Sequence, residues 1–165
     1  MTFDYLGTQI TSYGFLSREV IHQANKAVKV SACLNDTIWY NKFLRQDSKV
    51  KIYKAIIRPI LTYASETRPD TTKTKQTIET AEMQTLRKIT RTKRIDHKRS
   101  EDIRQQCNIE EIGAWVLRRR IEWNEHIDKM EEGRLVKVVR DNRPAGKRSP
   151  ERPRKRWKES LEGTG

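Results

Sequence analysis

DSKVKIYKAIIRPILTYASETRPDTTKTKQTIETAEMQTLRKITR, residues 47–91, holds two helical patterns parted by a proline and a turn. Val50, Tyr53, Ile57 and Leu61 recur at helical spacing and share one stripe. Pro59 has no backbone N–H, so a kink, or a break and restart, is predicted there. Thr71-Thr72 offers an N-cap for the second helix, whose inner face takes Ile78, Ala81, Thr85 and Ile89. The remaining surface is basic, with Lys49, Lys51, Lys54, Lys73, Lys75, Arg87, Lys88 and Arg91. A helical hairpin of that charge suits contact with a polyanion.

Around it, 165 residues make one domain, or one domain with a tail. Apolar residues reach 35%, below the usual value of about 45–50% (which includes Gly), so a thin core is expected. A net charge of +13 and a pI near 10.0 favour nucleic acid or an anionic surface as partner. Cys33 and Cys107 stand far apart without a CxxC, so neither a disulfide framework nor a zinc site follows. They are expected to be reduced thiols of an intracellular protein, nuclear or cytoplasmic. No apolar run approaches the ~20 residues that span a membrane, and the first residues lack a signal-peptide pattern.

Taken in order, Phe3, Tyr5 and Gln9-Ile10-Thr11 predict a strand, with a turn at Ser12-Tyr13-Gly14. Such a lone hairpin needs a sheet or helix to lean on. Ser17 is the expected N-cap of a helix over about 17–34, with Val20, Ala24, Ala27, Val28 and Ser31 on one face. His22 is expected on its solvated side. Trp39, Tyr40 and Phe43 are expected to form a packing lid over the first two helices; a base-stacking platform is the alternative. Ser100 is expected to cap a short helix through Cys107, and Asn108 with Glu111 to open the longest helix, about 110–131. On that helix Ile112, Val116, Trp123, Ile127 and Met130 share a side, with Trp123 the core anchor and Leu117 and Ile121 a second stripe. Arg118 with Glu122 and Glu125 with Lys129 are expected to pair on its outer face, and part of the Arg118-Arg119-Arg120 run must sit beside the core. A shorter helix over 134–140 packs through Leu135, Val138 and Val139. Residues 142–154 form an extended basic linker with Pro144, Pro150 and Pro153, followed by a last short helix with Trp157 and Leu161 as apolar contacts.

Four segments also carry a family resemblance. IYKAIIRPILTYASET (52–67) resembles the "LY…V.P.L.YGSETW" stretch of non-LTR retrotransposon reverse transcriptases, just after the polymerase palm. FDYLGTQITSYG (3–14) is similar to their "F.YLG..I...G" hairpin, LRRRIEWNEHIDKM (117–130) to "RRLRW.GHV.RM", and PAGKRSPERPRKRWKESL (144–161) to "P.G.R..GRP..RW.D.I". The four occur in family order over nearly the whole chain. Ala64 and Arg68 depart from the family's Gly and Trp, Asn124-Glu125 from Leu-Gly, and Glu151 from the Gly of GRP. The resemblance implies the end of the palm, the thumb and the basic connector of a LINE-like endonuclease and RNA-directed DNA polymerase. The family's metal-binding aspartates lie in a "[FY].DD" turn upstream of the F.YLG hairpin, and that turn is not in this sequence. Mg²⁺ would be bound there, so this chain is expected to be no enzyme, with no catalytic or metal-binding residue and no cofactor. The implied partners are the RNA and DNA backbones of the template–primer, with the palm as a further partner and no membrane.

The residues agree with the absence of a centre. Asp4, Asp36, Asp47, Asp70, Asp96 and Asp102 are scattered, and no GxxxxGK[ST], GxSxG or HExxH stretch occurs. The expected fold is mainly α: a thumb-like helical bundle with a short N-terminal β-hairpin and an extended basic C-terminal tail. The expected divisions are 1–16 hairpin, 17–100 thumb-like helices, 101–141 helical connector and 142–165 tail. Phosphate contacts are expected from Lys147, Arg148, Arg152, Arg154, Lys155, Arg156 and Lys158, with Lys88 and Arg91 second. The alternatives are a host-adopted nucleic-acid-binding adaptor and a non-functional truncated product.

Overall fold

The computed structural model describes residues 2–5, 7–11, 16–142, 157, 158 and 161. It is mainly helical. The chief elements are α1 (Leu16–Cys33), α2 (Gln46–Ile52), α3 (Arg58–Leu61), α4 (Thr72–Thr90), α5 (Ser100–Cys107), α6 (Ile112–Asp128) and α7 (Leu135–Asp141). Two π-helical turns, Asn35–Trp39 and Tyr53–Ile57, and a 3₁₀ turn, Arg94–Asp96, complete the helices. Before α1, Thr2–Tyr5 (β1) and Thr8–Thr11 (β2) pair antiparallel, Tyr5 opposite Thr8. The chain thus reverses between Tyr5 and Thr8. Gly7 at φ 80 supplies the left-handed conformation that reversal requires. The turn expected at Ser12-Tyr13-Gly14 lies outside the described residues.

The central helix is α4, which packs on α1, α2, α3, α5 and α6. Thr71 caps it, its hydroxyl accepting from the Thr74 N–H while Thr74 returns a bond to the Thr71 N–H. Ile78, Ala81, Thr85 and Ile89 are buried, as their spacing predicts, and Leu86 joins them. On α1, Ala24, Ala27 and Ser31 are buried, and their size brings the helices close enough for the Thr85 hydroxyl to donate to the Ser31 hydroxyl at 3.0 Å. Val50, Tyr53, Ile57 and Leu61 form the buried stripe of a continuous rod running from α2 through the π-turn into α3. The kink expected at Pro59 takes the form of that π-turn. A proline ring collides with the carbonyl four residues back, Ala55 here, and a widened turn relieves the collision. Ile103, Cys107, Ile109 and Ile112 close the same core from below α4.

Several local expectations fail, each for a physical reason. Asn108 does not open α6; at φ 48 it terminates α5 in the left-handed conformation, a role Asn tolerates. Glu111 precedes α6 without a side-chain cap bond, and Arg99, not Ser100, occupies the cap of α5. The longest helix is α4, with 19 residues against 17 for α6. Trp123 is only half-buried and lies against His126, because Arg120 takes the core-facing position one turn before it. Ile121 is exposed, so no second apolar stripe is covered on α6. Leu135, Val138 and Val139 of α7 are exposed as well. Of the expected aromatic lid, Trp39 alone is in the core, whereas Tyr40 is 51% and Phe43 97% exposed. The Trp39 indole donates to the Ser31 carbonyl at 2.7 Å and fills that space by itself.

Candidate nucleic-acid interface

Charge is distributed unevenly along the fold. Past residue 104 most of the described cations are answered by carboxylates, Arg118 by Glu110, Arg119 by Glu122, Arg120 by Asp70, Lys137 by Glu132 and Arg140 by Asp128 and Asp141, while Lys129 and Arg134 are exposed without an ion pair. The Arg118-Arg119-Arg120 run is therefore engaged inside the protein, and in a different pairing from the expected Arg118–Glu122 and Glu125–Lys129. Among the described residues 18–99, by contrast, no lysine or arginine makes an ion pair with a carboxylate. Lys26 and Lys29 on α1, Lys42 and Arg45 on the loop before α2, and Lys51 and Lys54 on the rod are all exposed.

Some expected surface cations are not free. Lys49 is buried and donates from Nζ to the Trp39 carbonyl at 2.7 Å; burial, with the Arg91 charge adding, lowers its pKa. Lys88 is half-buried, and burial lowers its pKa too. Arg91 is exposed and closes α4 at φ 54. Its guanidinium lies 3.4 and 3.5 Å from the Tyr40 and Asn41 carbonyls and so ties the α4 end to loop 40–45. Lys158 is exposed but donates to Asp141 at 2.8 Å. Beside it, the Trp157 indole donates to the Glu66 carbonyl at 2.6 Å. Lys147, Arg148, Arg152, Arg154, Lys155 and Arg156 lie outside the described residues. The structure therefore ties Arg91 to the loop that carries Lys42 and Arg45, a junction that sequence spacing could not reveal.

Two buried polar clusters support this surface from within. Glu82, fully buried, accepts from the Tyr53 hydroxyl at 2.9 Å and from Arg104 at 3.0 and 3.1 Å. Burial raises the Glu82 pKa, and Arg104 and Tyr53 hold it down only in part. Burial also pushes the Tyr53 phenol far above its ordinary range, aided by the Glu82 charge. In the second cluster Arg120 donates to the Ser65 carbonyl at 2.8 Å and to Asp70 at 2.7 Å. Arg68 lies beside it, 5% exposed, with Nε and Nη2 unpartnered, and burial works against its charge. Neither cluster is open to a substrate. An open groove of about 700 Å³ between α4 and α5 is lined by both signs, Glu79 and Glu111 with Arg87, Arg94 and Arg104. Burial and the neighbouring Glu111 raise the Glu79 pKa.

Among the described residues no group of three or more His, Cys, Asp or Glu is placed to hold a metal ion, and no helix is long and apolar enough to cross a membrane. Compared with protein-family models, curated proteins and solved structures, the chain matches none.

Proposed function

We propose that this chain binds the phosphate backbone of nucleic acid without reading sequence, and that it corresponds to the thumb and basic connector that follow the palm in non-LTR retrotransposon reverse transcriptases. The observation that carries the binding reading is the set of exposed, ion-pair-free cations in the described residues 18–99, beside an α6–α7 region in which most cations are paired with carboxylates and only Lys129 and Arg134 are not. Such cations are available to phosphates at no internal cost.

Two departures from the family pattern support the origin. Ala64 stands where the family has Gly, and its φ is 55, the conformation that favours glycine. Arg68 stands where the family has Trp, and it is buried with donors unpartnered, where a large aromatic would need none. In this reading the N-terminal strands are the end of the palm, the tail is a second phosphate-binding element, and template–primer duplex is the partner. The chain contributes positioning and no chemistry, so it extends no primer.

The test is a salt titration on duplex and single-stranded oligonucleotides of unrelated sequence. Log K is expected to fall by about 0.9 (duplex) or 0.7 (single strand) per phosphate neutralised for each tenfold rise in salt. Lys42→Ala with Arg45→Ala flattens that slope, as does the tail variant Arg152→Ala, Arg154→Ala, Lys155→Ala, Arg156→Ala. Absence of binding at low salt would overturn the proposal.

A further inference from the structure

Phe43 is 97% exposed, yet the backbone that carries it is held from several directions. The Phe43 N–H donates to Asn41 Oδ1 at 2.8 Å, the Asn41 side-chain amide donates to the Thr37 carbonyl at 3.2 Å, and the Tyr40 N–H donates to the Asn35 carbonyl at 2.8 Å. Arg91 reaches the Tyr40 and Asn41 carbonyls from the end of α4. A single exposed apolar side chain is ordinary on a protein surface. An aromatic side chain carried on a tied-down backbone with its ring almost wholly open to water, three residues from a half-exposed tyrosine, is not explained by packing. Trp39 has already filled the core position that Phe43 was expected to share.

The surroundings indicate what covers the ring. Loop 40–46 contains Lys42 and Arg45, both exposed, and no Asp or Glu. Arg91, which reaches this loop from the end of α4, belongs to a segment, 87–94, that contains Arg87, Lys88, Lys93 and Arg94 and no Asp or Glu, although Arg87 and Arg94 line the groove between α4 and α5. A protein partner would bury Phe43 together with other exposed apolar groups, whereas the exposed residues on either side of it here are Lys42 and Arg45, with Leu44 between them partly buried. Aromatic faces interleaved with cations are the arrangement on which unpaired bases stack while the backbone runs along the charges.

We infer that loop 40–45, pinned by Arg91, is a binding site for single-stranded nucleic acid in which an unpaired base stacks on Phe43 while Lys42, Arg45 and the end of α4 take the flanking phosphates. The inference rests on the backbone-binding reading above and adds a preference for an unpaired segment, as at the junction of a duplex with a single strand.

The experiment compares wild type, Phe43→Ala and Phe43→Leu on a single strand, a blunt duplex and a duplex with a single-stranded overhang, at fixed salt. The expected loss for Phe43→Ala on the single strand is about 5- to 150-fold, with a clearly smaller loss on the blunt duplex. Phe43→Leu loses nearly as much as Phe43→Ala, because an aliphatic side chain offers no face for stacking. Phe43→Trp reports the contact directly through quenching of its added fluorescence by the single strand. Equal losses on all three nucleic acids, or no loss, overturn the stacking site and leave backbone binding in place. Self-association of wild type that Phe43→Ala abolishes, with nucleic-acid affinity unchanged, identifies a second copy as the occupant and also overturns it. Loss of all nucleic-acid binding by wild type itself removes both proposals.

Discussion

Replacing Arg120 by Met removes the bonds to the Ser65 carbonyl and to Asp70, both made inside the protein by a residue 2% exposed. Asp70, 7% exposed, is left without that guanidinium, and its Oδ1 already lacks a hydrogen-bond partner. Breaking one side of a buried pair costs about 3–5 kcal/mol, mostly the penalty of the charge left behind. The neighbouring Arg68 charge still attracts Asp70, so the expected cost is at the lower end, about 3 kcal/mol. Asp70→Asn has no such relief: it leaves Arg120 facing a carbonyl, with a second buried guanidinium beside it, and the expected cost is about 5 kcal/mol. The double variant leaves no orphaned carboxylate and falls short of the sum by about 2 kcal/mol. Urea unfolding followed by circular dichroism measures all three, with an unchanged m-value confirming a common unfolding reaction. A loss below about 1 kcal/mol for Arg120→Met, or a smaller loss for Asp70→Asn than for Arg120→Met, would refute the burial of this pair as the anchor of α6.

Three further outcomes follow from single residues. Ala64→Gly removes a left-handed alanine worth about 1–2 kcal/mol and returns about 0.4–1 kcal/mol of chain freedom to the unfolded state, so melting temperature rises by a few degrees; a fall would contradict φ 55. Trp39→Ala costs about 3–5 kcal/mol, whereas Trp123→Ala, at a half-buried site, costs under about 2 kcal/mol; equal melting curves for the two would show the burial pattern wrong. Cys33, exposed, reacts with a thiol reagent in the folded protein, and Cys107, buried, reacts only on unfolding. Burial pushes the Cys107 thiol up to about 11 from 9.0, so its contribution is whole below pH 9 and is lost as pH rises towards 11, by up to about 3 kcal/mol; chemical denaturation at pH 8 and 10.5, with Cys107→Ala as the control, measures it.

What the sequence disclosed is what repeats locally. The stripe Val50, Tyr53, Ile57, Leu61 and the inner face of α4 follow from side-chain period alone, and Thr71 marks its cap because the cap bond spans three residues. Asn108 misled because the same side chain suits the start of one helix and the end of another. Lys49 was illegible as a buried group, and of the Arg118-Arg119-Arg120 run the sequence placed a part beside the core without showing that Arg120 is that part, since their partners, Trp39 and Asp70, stand 10 and 50 residues away. The candidate site was illegible for the opposite reason. Phe43 carries every local mark of a core residue, and only the filling of that core by Trp39 turns it outward. The free cations of 18–99 likewise became visible only once the ion pairs of the fold were known, since none of them falls on a lysine or arginine of that stretch.

The loop after α3 is held from far along the chain, by Arg120 at Ser65 and by Trp157 at Glu66, separations of 55 and 91 residues. On a ribosome adding about 5–20 residues per second, α4 is completed roughly 1.5–6 s before Arg120 is made, and longer still before Trp157. Throughout that interval Asp70 has no Arg120 to answer it, and this segment stays hydrated while the helices on either side of it pack. The nascent chain therefore has a helical core with one unfinished corner. Pausing or truncation between α4 and α6 yields a product that retains the basic surface of residues 18–99 but exposes that corner to proteases and chaperones.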